Sequence, residues 1–130
     1  MANEAEINFI QLDILDADQW TTLPACNIIV SNPPYIPLSD KELMQPNVVL
    51  HEPHIALFVN NDDPLLFYRK IAELGKSKLE EDGKIYVETH EELAASVADL
   101  FNKHGYSSLE TKNDMQGKER MVRAIRKLAN

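Results

Sequence analysis

The sequence predicts an α/β fold, an open and mostly parallel sheet with helices that closes on an antiparallel pair near its C-terminal end. Three observations predict it. Strand-like and helix-like stretches alternate along the 130 residues, the pattern of a sheet layered with helices. Cys26–Asn27–Ile28–Ile29–Val30 is short and almost wholly apolar, as expected of a strand covered on both faces. The last two strand-like runs, Tyr106 to Thr111 and Arg120 to Ile125, flank a turn around Asn113–Asp114–Met115–Gln116–Gly117, which suits an antiparallel hairpin. The length and an ordinary globular composition, 44% hydrophobic and 26% charged, suit one domain over residues 1–130.

Taken in order, the β-branched and apolar run Ile7 to Ile14 predicts a first strand ending in acidic turn residues. Asp16 to Pro24 reads as a polar connection with Trp20 as its hydrophobic anchor. The Cys26–Val30 strand stops at Ser31–Asn32–Pro33–Pro34–Tyr35, because two consecutive prolines cannot continue a ladder. From Ile36 to Asn61 the chain carries Pro37, Pro46 and Pro53 without a clear period, the mark of a long loop, and such loops are usually functional. Asp62–Asp63–Pro64 offers capping carboxylates and a first-turn proline, and Phe67, Ile71 and Leu74 follow at helical spacing. Glu81–Asp82–Gly83 predicts a turn and Lys84 to Thr89 a strand. Leu93, Val97, Leu100 and Phe101 line one face of a second helix, which Gly105 ends as a left-handed cap.

Charge and composition narrow the function. A formal net charge of −8 argues against a coat for duplex nucleic acid or a membrane-surface binder, both of which need a positive field. Arg120, Arg123, Arg126 and Lys127 form the one basic cluster, and strand alternation splits it over two faces. The single Cys26 cannot make an internal disulfide and reads as a core thiol. No apolar run approaches the roughly 20 residues that span a bilayer. The N-terminus MANEAE lacks a signal pattern, so a cytoplasmic location is expected. His51 and His54 flank Glu52–Pro53 and suit loop packing better than a metal site, because the proline breaks their spacing and no third ligand is evident. Glu88 and His90 could form an acid–base pair, but a strand end followed by a helix cap explains them better.

Asn32–Pro33–Pro34–Tyr35 is the stretch that carries chemistry. In open α/β sheets ligands sit outside the carboxyl ends of the strands, and this segment follows the most apolar one. Proline excludes the residue before it from the helical region, and neither proline has an N–H. The carbonyls of Asn32 and Pro33, the Asn32 amide and the Tyr35 ring would make a receptor for a planar –NH2 group. Such a nitrogen is a poor nucleophile because its lone pair is delocalised. Acceptors on its protons raise its electron density and aim it, which is catalysis by positioning and preorganised electrostatics.

Val30–Ser31–Asn32–Pro33–Pro34–Tyr35–Ile36–Pro37 resembles motif IV of the amino-methyltransferases that use S-adenosylmethionine. With His51 to Leu57, Leu66–Phe67–Tyr68–Arg69, Gly83 to Glu88 and the closing Asn113 to Arg120, the chain resembles the HemK-type methyltransferases of release-factor glutamine. The resemblance runs from about Ile7 to Ile125. It implies an incomplete Rossmann-like class I methyltransferase sheet, an S-adenosylmethionine cofactor, and a peptide chain release factor as protein substrate. By it, Asn32, Pro33, Pro34 and Tyr35 form the catalytic and substrate-binding site, with Glu52 ordering the loop beneath them. Asp13 and Ile14, together with Asn32, would face the cofactor.

The family's sheet order, 3-2-1-4-5-7-6 in its own strand numbering, makes Ile7–Ile14 its third strand. This chain has four glycines, Gly75, Gly83, Gly105 and Gly117, and no two are close enough for the family's glycine-rich cofactor loop. It therefore resembles the C-terminal part of a methyltransferase domain, and by itself is expected to be inactive. Two alternatives stand beside this reading. One is a methyltransferase acting on the exocyclic amine of adenine or guanine; the other is an acceptor-binding module without catalysis. Ile7–Ile14 also lacks its family neighbour, so it is expected to slide onto the Cys26–Val30 strand or to pair with a second copy as a homodimer.

Overall fold

The structure, a computed structural model, describes residues 5–34, 36–37, 58–59 and 63–127. In chain order the elements are β1 (Cys26–Ser31), β2 (Ile36–Pro37), β3 (Phe58–Val59), α1 (Leu66–Lys78), β4 (Leu79–Glu88), α2 (Ala94–Lys103), β5 (Tyr106–Asn113) and β6 (Glu119–Arg126). Short 3-10 helices, Ala17–Thr22 and Glu91–Leu93, precede β1 and α2.

The first strand expected from the sequence does not form. Residues 5–13 take no regular structure, and Ile7 and Phe9 stand 70% and 94% exposed. A parallel partner for β1 needs a crossover of a dozen residues or more. The connection is committed elsewhere: Asp16 caps the 3-10 helix through the Asp18 N–H at 3.1 Å, and the buried Trp20 donates its indole N–H to the Ile14 carbonyl at 3.0 Å. Trp20 is thus the anchor its sequence position suggests, and it ties Ile14 to the short helix that leads into β1.

The main sheet has the order β1-β4-β6-β5, which is the 4-5-7-6 end of the order the resemblance implies. Its β1–β4 pairing is parallel, while β4–β6 and β5–β6 are antiparallel. The sheet is therefore mixed, because the segment expected to extend its parallel side is not a strand. Separately, β2 and β3 pair in parallel as a two-stranded ribbon.

The turn expected at Glu81–Asp82–Gly83 lies inside β4. Cys26 pairs with Leu79, but Ile28 pairs with Lys84, so β4 bulges outward between them, with Asp82 at a φ of 63°. Gly83 permits the close approach of β1 there. A Cβ at Gly83 would come within 2.8 Å of the Glu80 carbonyl oxygen and 3.1 Å of that of Asn27.

Helix α1 starts without the expected carboxylate cap: Leu65 holds the cap position and no side chain bonds there. Asp63 instead takes the Arg69 guanidinium at 2.6 Å, while its carbonyl accepts the Leu66 N–H. Asp62 lies outside the described residues. Before α2, His90 accepts the Glu92 N–H on Nδ1 at 3.2 Å, the capping role its position suggests. Gly105, at a φ of 90°, ends α2 as the left-handed cap expected of glycine.

Both helices pack on one face of the sheet. Tyr68, Ile71 and Ala72 of α1 and Ala94, Val97 and Phe101 of α2 join Ile85, Val87, Val122 and Ala124 of the sheet in one core. The opposite face is bare among the described residues, with Ile28, Val30, Tyr86 and Met121 exposed by 57%, 75%, 36% and 44%. The expectation that β1 is covered on both faces is thus corrected. Cys26 and Ile29 pack against the core while Ile28 and Val30 look outward.

Candidate functional site

The last β1–β4 pair is Ser31 with Val87, so Asn32 and Pro33 lie just beyond the paired ladder at the carboxyl end of β1. Strand alternation sends Asn32 to the same side as Val30, toward the bare face. Pro33 is buried on the other side, and Pro34 is half-buried. A groove of about 500 Å³ opens at this end of the sheet, with Asn32 on its wall. Its floor follows from the register. Val30 lies beside Tyr86, and one step further Glu88 lies beside Met121, next to where Asn32 leaves β1.

Two bonds fix the β4 end of the groove. The fully buried Tyr68 of α1 donates its hydroxyl to the Glu88 carbonyl at 2.8 Å, and the Thr89 N–H donates to the Arg120 carbonyl at 2.7 Å. The turn between β5 and β6 closes the groove with Asp114 and Arg120. Asp114 accepts the Gln116 and Lys118 N–H groups at 2.8 and 3.0 Å, and the Arg120 Nε lies 3.4 Å away. The Lys118 N–H, then that of Gln116 and the Arg120 charge, hold its carboxyl below the usual carboxylate range. With Glu88 and Asp114 against Arg120, the described part of the groove is acidic on balance.

Of the residues the sequence nominated, Asn32 is in the groove, and Pro33 and Pro34 are on the segment that leaves it. Tyr35 and Glu52 lie outside the described residues, as do His51 and His54. Asp13 and Ile14 do not line the groove. The Asp13 carboxylate accepts the Leu15 N–H at 2.9 Å, and its own N–H donates to the Gln19 side chain at 2.8 Å. The Ile14 carbonyl is taken by Trp20, and its side chain packs on the core. Sequence reasoning missed Glu88, Asp114 and Arg120 as groove residues. Alternation with Ile85 and Val87 could have placed Glu88 on the bare face, but only the register brings it beside the end of β1.

No family model matches the chain. The chain is 39% identical over 121 residues to the release factor glutamine methyltransferase of Flavobacterium psychrophilum. It is 38% identical over 125 residues to that of Bacteroides thetaiotaomicron. These stretches cover 93% and 95% of this chain. Along nearly its whole length the chain is thus similar to release factor glutamine methyltransferases. It spans well under half of these family members, 42% and 44% of their lengths. A crystal structure of protein-(glutamine-N5) methyltransferase (release factor-specific) from Alicyclobacillus acidocaldarius aligns over 88% of this chain and 91% of that one. The TM-score is 0.44 at 16% identity, a likeness too distant to bear on the site.

A methyltransferase needs a methyl donor; among the described residues the glycines form no glycine-rich loop, and Asp13 and Ile14 do not line the groove. The glycines stand apart in α1, in β4, after α2 and in the last turn, and the Asp13 carboxylate is bonded within its own turn. No helix among the described residues is long and apolar enough to cross a membrane.

Proposed function

We propose that this chain carries the acceptor half of a methyltransferase that modifies the side-chain amide nitrogen of glutamine in a peptide chain release factor, using S-adenosylmethionine. The observation behind the reading is the position of Asn32–Pro33 just past the last paired residues of β1, on the wall of a groove at the carboxyl end of the sheet. The Asn32 side-chain oxygen and the Pro33 carbonyl accept the two protons of the –NH2 group and hold its plane. Pro34 and Tyr35 shape the pocket around it, and Glu52 orders the loop beneath. Held so, the amide nitrogen gains electron density and faces the donor without reorganisation.

A protein substrate suits the charge of the site. Two carboxylates and one guanidinium among the described groove residues repel a phosphate backbone, so a nucleic-acid acceptor is disfavoured. The test is methyl transfer to purified release factor by the protein at its natural length, with Asn32→Ala alongside and circular dichroism as the folding control. The variant is expected to lose about 100- to 1,000-fold in rate with its fold intact. A folded Asn32→Ala protein at wild-type rate would refute the role of that side chain.

A further inference from the structure

We propose that Arg120 binds the acceptor by its main chain, donating to a peptide carbonyl beside the glutamine while Asn32 and Pro33 hold the side-chain amide. The role rests on the proposed function and names the group that grips its substrate. With the two –NH2 protons taken, a docked peptide still brings carbonyl oxygens out of water, and each needs a donor in the groove. Arg120 is the one cation among the described groove residues. A guanidinium presents five N–H donors in a fixed fork and keeps its charge throughout the working pH range.

Its donors are available. The contact with Asp114 is made through Nε at 3.4 Å, and no acceptor among the described residues bonds the two terminal nitrogens. Nor is the side chain needed to shape the turn. The Asp114 carboxylate accepts the Gln116 and Lys118 N–H groups. The Asp114 N–H donates to the Lys118 carbonyl at 2.8 Å, and the Gly117 N–H to the Asp114 carbonyl at 3.1 Å. These bonds close the turn without Arg120, and a partly exposed ion pair adds little to them. The Thr89 N–H on its carbonyl at 2.7 Å holds the Arg120 backbone, and Asp114 steadies the guanidinium from one side, so the group is preorganised. The spacing suits the main chain of the acceptor rather than its reacting amide. Asn32 follows β1 and Arg120 lies on β6, with β4 between them, a separation of two strand spacings or roughly 10 Å. An arginine side chain bridges part of that gap and the stem of a glutamine the rest.

The experiment compares wild type, Arg120→Ala and Arg120→Lys in the protein at its natural length, with a glutamine-bearing release-factor peptide as acceptor. Peptide binding is titrated, kcat and KM are measured for methyl transfer, and the Gln116 and Lys118 amide signals report the turn. Arg120→Ala is expected to raise Kd and KM about tenfold or more, as for loss of a charged hydrogen bond, with kcat nearly unchanged. That split marks binding felt equally in the ground and transition states. Arg120→Lys, which keeps the charge but not the fork, is expected to recover part of the affinity. Unchanged Kd and KM in Arg120→Ala, with the turn signals in place, overturn the inference. So does a fall in kcat at unchanged KM, which would put Arg120 on the reacting amide. A displaced turn in both variants also overturns it, because the role would then be structural. All three results leave the proposed function standing if the wild type is active. A wild type that neither binds nor methylates the peptide overturns both.

Discussion

The hydroxyl of Tyr106 donates to the Ala72 carbonyl at 2.7 Å, tying the start of β5 to α1 across the core. Its ring meets Phe101 edge-on, with centroids 5.4 Å apart, a geometry that adds about 1 kcal/mol to burial alone. Burial pushes the phenol up from 10.0 to about 12, with the Arg126 charge opposing. In the unfolded chain the group ionises at the lower value, so between pH 10 and 12 the unfolded state holds fewer protons than the folded one. Folding stability is then fully present below pH 10 and is lost as pH rises through about 12. Denaturant midpoints across that window should fall for the wild type and flatten in Tyr106→Phe, which should also cost about 1 kcal/mol at neutral pH through the lost bond. Equal slopes for the two proteins would show that another group governs the alkaline limb.

Strand β1 pairs with β4 on one side and, among the described residues, forms the outer edge of the sheet on the other. Together with the exposed Ile28 and Val30, that edge is a template for association. The homodimer expected from the sequence is therefore kept as a prediction, now through β1 itself, since Ile7–Ile14 forms no strand. Light scattering at two concentrations should show a concentration-dependent mass, and a constant monomer mass would reject it. Several elements were legible before any coordinates: β1 from its apolar run, α2 from the spacing of Val97 and Phe101, and the Gly105 cap from its position. The β5–β6 hairpin was legible from its turn. The errors share one cause. Ile7–Ile14 has strand composition, and Glu81–Asp82–Gly83 has turn composition, but pairing partners decide what each becomes. Without a partner strand the first stays irregular, and with β1 alongside, the second is drawn into β4 as a bulge. The place of Asn32 could be read from its local pattern for the same reason: it follows directly on the end of β1. Glu88 joins the site only through the register of three strands.

At the scale of the whole molecule, the sheet is covered by helices on one face and, among the described residues, bare on the other, with the groove where that face meets the carboxyl ends of β1 and β4. The chain matches less than half of its relatives' lengths. The most direct test is a nuclear magnetic resonance titration of the 130-residue chain, labelled with nitrogen-15, first with a glutamine peptide and then with S-adenosylmethionine. The expected result is that the peptide shifts the Asn32 side-chain signals and the amides of Tyr86, Glu88 and Met121, while the cofactor leaves those of Asp13 and Ile14 unmoved. Tight cofactor binding at Asp13 and Ile14, or a peptide that leaves Asn32 and Glu88 untouched, would contradict the assignment of this chain as the acceptor half.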